Sequence, residues 1–189
     1  MCPRLPFIDF FATLLQNIFC WMQGDPANEI IPRVWLGNRT ASQDVGWLRS
    51  NNVTAVFNCT KDIPFAPGTP HMYRVPVDDN LQDAELRNLE HWSWEIVFKL
   101  MKEYNEGNTV LVHCAAGMQR SAAVVAMFLI AKYRCTTDEA IAYIKTKRPI
   151  AFYIQANFYR SIKGFERALS KMIVDGNLYE QYPRLPLPN

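Results

Sequence analysis

A chain of 189 residues with a formal net charge of +2 has the length of one domain and no bulk electrostatic pull toward nucleic acid. Five cysteines without paired spacing do not form a disulfide framework. Three histidines, with no C-x-x-C or H-E-x-x-H pattern, argue against a metal site, and no cofactor is expected.

In chain order, Phe7 to Met22 is strongly apolar, but Asp9, Thr13, Gln16, Cys20 and Gln23 recur in a narrow stripe at helical spacing. That pattern predicts an amphipathic helix over residues 1–24, ended by Gly24-Asp25-Pro26. It lacks the clean apolar run of a secretory signal and is too short and interrupted to span a bilayer, so no stable membrane insertion is expected. Strands are predicted at Ile30–Leu36 and Val53–Phe57, with a helix from about Ala41 to Arg49 between them. Further strands follow at His71–Val77 and Val110–His113. Leu86, Leu89, Ile96, Val97, Leu100, Met101 and Tyr104 recur at helical spacing and predict a helix over Glu85–Tyr104. Ser121–Tyr133 is nearly all apolar, which suits a central helix. Thr136-Thr137-Asp138-Glu139 is a capping box opening a helix through Lys147, and Ala156–Met172 is the last helix. Strands interleaved with helices predict an α/β fold, a sheet flanked by helices. Residues 25–174 would carry the chemistry. Residues 175–189, ending in Tyr182-Pro183-Arg184-Leu185-Pro186-Leu187-Pro188, form a proline-containing tail expected to be disordered.

The most informative stretch is His113-Cys114-Ala115-Ala116-Gly117-Met118-Gln119-Arg120-Ser121, between a predicted strand and a helix start. Unpaired N–H groups and a partial positive charge at a helix start can hold a dianionic phosphate. Arg120 adds a planar fork of donors matched to two phosphate oxygens. In such a field a cysteine pKa falls from about 8.5 to roughly 3.5–7.5, and three units are worth about 4 kcal/mol. Cys114 would then be a preformed thiolate able to accept a phosphoryl group and yield it to water. Gly117 suits a loop that turns its amides inward. Ser121 is placed to hydrogen-bond the departing sulfur. His113 neighbours Cys114 on an extended strand, where adjacent side chains face opposite ways. It reads as a residue that braces the loop, beside a simple core role, and not as a base for Cys114.

These residues resemble the signature H-C-x-x-G-x-x-R-[ST] of the cysteine-based protein tyrosine phosphatase superfamily, and within it the small, atypical dual-specificity phosphatases. Glu29 to Gly37, Val53 to Thr60 and Thr136 to Pro149 are similar to the family's opening strand, second core strand and the helix ended by Arg-Pro. The resemblance covers roughly Glu29 to Leu169. It implies a central mixed, mostly parallel sheet flanked by helices and a two-step phosphocysteine mechanism. Cys114 would be the nucleophile; Arg120 and the amides of Ala115, Ala116, Gly117, Met118 and Gln119 would hold the phosphate. The Val77-Asp78-Asp79 loop is similar to that of the poxvirus dual-specificity phosphatase, in which an N-terminal helix dimerises. A homodimer through residues 1–24 is therefore set ahead of packing onto the parent domain, with membrane or partner docking third.

Protonation of the departing oxygen calls for an acid, worth roughly 10²–10⁴ in rate. The family's Pro-x-x-Asp pattern matches Pro76 to Asp79, so Asp79 is the first candidate, Asp78 the second and Asp83 the third. Asn58 resembles a family asparagine that braces the phosphate loop, with a strand-end turn cap the alternative. Gln155 and Asn157 lie near the family position where a polar side chain can touch that loop or the hydrolytic water, although the family's usual Pro-Asn pair is absent here. Cys59 matches a second cysteine that captures the oxidised nucleophile in some relatives, and otherwise reads as a buried structural thiol. A reduced nucleophile favours a cytoplasmic or nuclear compartment. The expected activity is hydrolysis of phosphotyrosine and phosphoserine or phosphothreonine in phosphorylated proteins. The alternatives are a phosphatase of RNA 5′-phosphate or phosphoinositide, and a phosphate-binding module without turnover.

Overall fold

The computed structural model describes residues 25–80, 82–178 and 180–188; the helix expected over residues 1–24 lies outside them. Five strands form one sheet: β1 (Ala27–Ile31), β2 (Val34–Gly37), β3 (Val53–Asn58), β4 (His71–Arg74) and β5 (Thr109–His113), in the order β1-β2-β5-β3-β4. Among the described residues only the β1–β2 pair is antiparallel. The helices are α1 (Arg39–Gln43), α2 (Val45–Ser50), α3 (Asp83–Asn105), α4 (Arg120–Tyr133), α5 (Thr137–Lys147) and α6 (Tyr159–Asp175). The mixed, mostly parallel sheet flanked by helices is as expected.

Alternation along the strands sorts two cores. Val110 and Val112 of β5, with Ala55 and Phe57 of β3, face one layer, while Leu111 and Val56 face the other. The larger layer holds α3 to α6. Its centre is α4, buried on every side, which is why its sequence is apolar all round. The smaller layer is α1 and α2, packed through Ala41 and Leu48 with Trp35 set edge-on to Trp47.

Three elements depart from expectation. The strand predicted at Ile30–Leu36 is a hairpin, because Pro32 offers no N–H and Arg33 turns to φ +71°, its N–H donating to Glu29 Oε1 at 2.7 Å. The single helix predicted at Ala41–Arg49 is two. Asp44 ends α1 and its carboxylate caps α2, accepting from Trp47 N–H at 2.9 Å. The tail is docked rather than disordered. Leu185 N–H donates to Tyr133 O at 3.0 Å, Arg134 Nη1 to Tyr182 O at 2.5 Å, and Leu187 packs against the main core. The Thr136 capping box forms with both of its bonds.

Candidate active site

Parallel β5 ends at His113, and the chain then turns through residues 114–119 into α4. No side chain caps α4, so the N–H groups of its first turn remain directed into the loop. They converge on Cys114, whose Sγ accepts from Gly117 N–H at 3.3 Å and from Ser121 Oγ–H at 3.2 Å. Burial alone would push the Cys114 pKa up, and it is the largest single influence. The Ser121 hydroxyl and N–H, the Arg120 guanidinium and the Met118 N–H together overcome it, leaving the pKa below the ordinary thiol value. The site therefore stabilises a thiolate.

Arg120 is anchored and still unsatisfied. Its Nη1 donates to Val77 O at 3.0 Å, while its buried Nε has no partner among the described residues. A buried guanidinium donor left open beside a ring of loop amides is a docking point for an oxyanion.

Two backbone features shape the loop. Gly117 lies at φ +67°, and a Cβ there would come within 2.5 Å of Gly37 O and 2.8 Å of Arg148 Nη2. Only glycine fits. Arg148, fully buried, braces the loop from behind: Nε donates to Gly117 O at 2.9 Å and Nη2 to Ala116 O at 3.4 Å. Its Nη1 reaches Asp25 O at 2.8 Å and Asn28 Oδ1 at 2.6 Å. Burial lowers its pKa to about 10, so it stays charged at neutrality. Sequence reasoning missed this role, although the Arg-Pro ending α5 was the available signal.

His113 is fully buried, as a core ring would be, and it also meets the backbone of Cys114 at the start of the phosphate loop. Burial outweighs that contact and holds its pKa down to about 4. It fills space as a neutral ring. Asn58 is the strand-end turn cap: its Nδ2 donates to Ile63 O at 2.7 Å and its Oδ1 accepts from Thr60 N–H at 3.1 Å and Thr60 Oγ1 at 2.7 Å. Those bonds fold the 58–63 turn and do not reach the phosphate loop. Cys59 is a buried free thiol, pushed well above the ordinary value by burial and then by the nearby Cys114 charge, with Arg120 opposing.

The acidic loop after β4 is tied to the phosphate loop twice. Val77 O holds Arg120, and Asp79 Oδ1 accepts from Asn157 Nδ2 at 2.9 Å, whose own N–H donates to Gln119 Oε1 at 3.1 Å. Asp78 is otherwise engaged. Its carboxylate accepts from Lys61 Nζ at 2.7 Å, and its N–H donates to Glu85 Oε2 at 2.9 Å. Asp83 lies in the first turn of α3. Gln119 was expected to contribute only its amide to phosphate. Its side chain is buried and donates to Gln155 O at 2.9 Å and Tyr153 O at 3.4 Å, fixing the segment ahead of α6.

Among the described residues no group of His, Cys, Asp and Glu is arranged to hold a metal, and no helix is long and apolar enough to cross a membrane.

The family model "Dual specificity phosphatase, catalytic domain" matches residues 34–168. Mouse dual specificity protein phosphatase 2 is 32% identical over 157 residues, covering 82% of this chain and 43% of the relative. Dual specificity protein phosphatase 1 of Arabidopsis thaliana is 30% identical over 136 residues, 72% of this chain and 67% of that protein. The chain thus spans less than half the length of the mouse relative. Among solved structures, human DUSP28 superimposes with a TM-score of 0.68 at 26% identity, over 77% of this chain and 95% of that one. The signature loop, the fold around it and these likenesses agree: the chain belongs to the small, atypical dual specificity phosphatases of the cysteine-based protein tyrosine phosphatase superfamily.

Proposed function

We propose that this chain is a protein phosphatase hydrolysing phosphotyrosine and phosphoserine or phosphothreonine through a phosphocysteine intermediate. The observation that carries the reading is the pairing of a thiolate-stabilising pocket at Cys114 with the open, buried Nε of Arg120. In the first step the Cys114 sulfur bonds to phosphorus, the phosphorus–oxygen bond to the substrate breaks, and Asp79 gives its proton to the leaving oxygen. In the second, water attacks phosphorus and yields its proton to the Asp79 carboxylate. The phosphorus–sulfur bond breaks, and Ser121 steadies the sulfur it already touches. Inorganic phosphate leaves. Asp79 is favoured over Asp78 because the Asp78 carboxylate is occupied by Lys61.

Protein substrates are favoured over polyphosphorylated lipid or RNA because Ala115, Ala116, Met118 and Gln119 bring no side-chain charge to the loop besides Arg120. The solved structure of PTPMT1 in complex with PI(5)P, at 22% identity and a TM-score of 0.64, shares the fold alone. Turnover of phosphopeptides, beside a phosphoinositide and an RNA 5′-phosphate, tests the reading. Phosphopeptide hydrolysis lost in Cys114→Ser, with binding kept, supports it; preference for either other substrate class or turnover surviving in Cys114→Ser overturns it.

A further inference from the structure

We infer that Asn157 is a positioning residue that fixes Asp79 for proton delivery, the outer link of a relay running from Gln119 in the phosphate loop through Asn157 to Asp79. The inference rests on Asp79 being the acid.

The acidic loop needs such a device. Asp79 is exposed, on a stretch between β4 and α3 without regular structure. Its neighbours are held by backbone contacts: Asn88 Nδ2 donates to Pro76 O at 3.0 Å, Arg120 grips Val77 O, and Glu85 accepts from Asp78 N–H. None of these fixes the Asp79 side chain. Asn157 does, donating from Nδ2 to Oδ1 at 2.9 Å. The other oxygen, Oδ2, has no hydrogen-bond partner among the described residues and is free to carry the proton.

Asn157 is itself held. Its N–H donates to Gln119 Oε1 at 3.1 Å, and Gln119 Nε2 grips Gln155 O at 2.9 Å. Phe152 N–H donates to Met118 O at 2.8 Å. The segment bends to make these bonds, with Phe152 at φ +55° and Ile154 at φ +67°. An amide suits the task. It is neutral at every working pH, and its N–H can donate to Oδ1 whether the carboxyl is protonated or ionised, so the acid keeps one position through both steps. Placement errors near 1 Å can cost about 10²-fold.

The test is kcat/KM for aryl phosphates of graded leaving-group basicity in wild type, Asn157→Ala, Asn157→Asp, Asp79→Asn and Asn157→Ala/Asp79→Asn. Asn157→Ala should lose roughly 10–100-fold on phenyl phosphate and much less on para-nitrophenyl phosphate. Asn157→Asp keeps the shape and the backbone bond to Gln119 but replaces the donor with a repelling carboxylate, and should lose at least as much. The double variant should be no slower than Asp79→Asn alone, since both changes disable one step. A loss equal across leaving groups, or one that multiplies in the double variant, overturns the relay. An unaffected Asp79→Asn removes Asp79 as the acid and the relay with it. Absence of Cys114-dependent turnover in wild type would instead sink the phosphatase reading.

Discussion

The two halves of the site are built differently. The phosphate loop is set into the core: Cys114, Gly117 and Ser121 are buried, and fully buried Arg148 holds the loop by carbonyls from behind. The acidic loop is anchored through buried Val77, whose carbonyl Arg120 holds, but its carboxylates lie toward the surface, kept by the Lys61–Asp78 and Lys61–Glu85 pairs and by one hydrogen bond from Asn157 to Asp79. The contrast follows the chemistry. A depressed thiol pKa needs fixed dipoles in a water-poor setting, where they cost no reorganisation. An acid must exchange its proton in every cycle and needs access to solvent and substrate.

The comparison breaks most visibly at Arg148. Arg148→Ala strips donors from Asp25 O, Ala116 O, Gly117 O and Asn28 Oδ1 and leaves a void. A loss of about 3–5 kcal/mol is expected in urea unfolding. Arg148→Lys should rescue little, because one ammonium cannot reproduce the fork.

Next comes pH. Burial, with repulsion from Arg74 and Arg120 added, holds His113 at about 4, against 6.5 for an ordinary histidine. Between those values the unfolded chain takes up a proton that the folded chain refuses. The stability linked to this ring is full above 6.5 and falls by about 3 kcal/mol as pH drops toward 4. Urea midpoints across that window should show the decline, and His113→Phe should flatten it.

The smallest effect belongs to the surface side. Lys61→Ala removes the ion pairs to Asp78 and Glu85 and should slow phenyl phosphate turnover by less than about fivefold. The deficit should shrink as salt is raised toward about 1 M. A deficit that ignores salt would mean that the acidic loop is as firmly built as the phosphate loop.

What was legible in the sequence was contiguous. Cys114, Gly117, Arg120 and Ser121 fall in one run whose spacing follows from one strand, one turn and one helix start. Asp79 was put ahead of Asp78 and Asp83 by its match to the family's Pro-x-x-Asp pattern after a strand. Arg148 was hidden because its partners are backbone carbonyls and one side-chain amide, as far away in sequence as Asp25 and Asn28. Gln119 was hidden for a similar reason: its position in the phosphate loop concealed a side chain turned toward residues 153–157. Asp44 can end one helix and start another, so periodicity across it read as continuous. The prolines of the tail suggested disorder, yet Leu185 and Leu187 between them find an open carbonyl and an apolar seat.

The reach of Arg148 also settles where this protein can be trimmed. A fragment cut to residues 34–168, the span of the family match, would discard Asp25 and Asn28 and with them both acceptors of the Arg148 Nη1 group. It would also shorten α6 before Leu169 and Ile173. Shortened versions meant for crystallography or screening should therefore start upstream of Asp25, or the phosphate loop will lose its backing, and should retain the docked tail to keep its bonds to Tyr133 and Arg134.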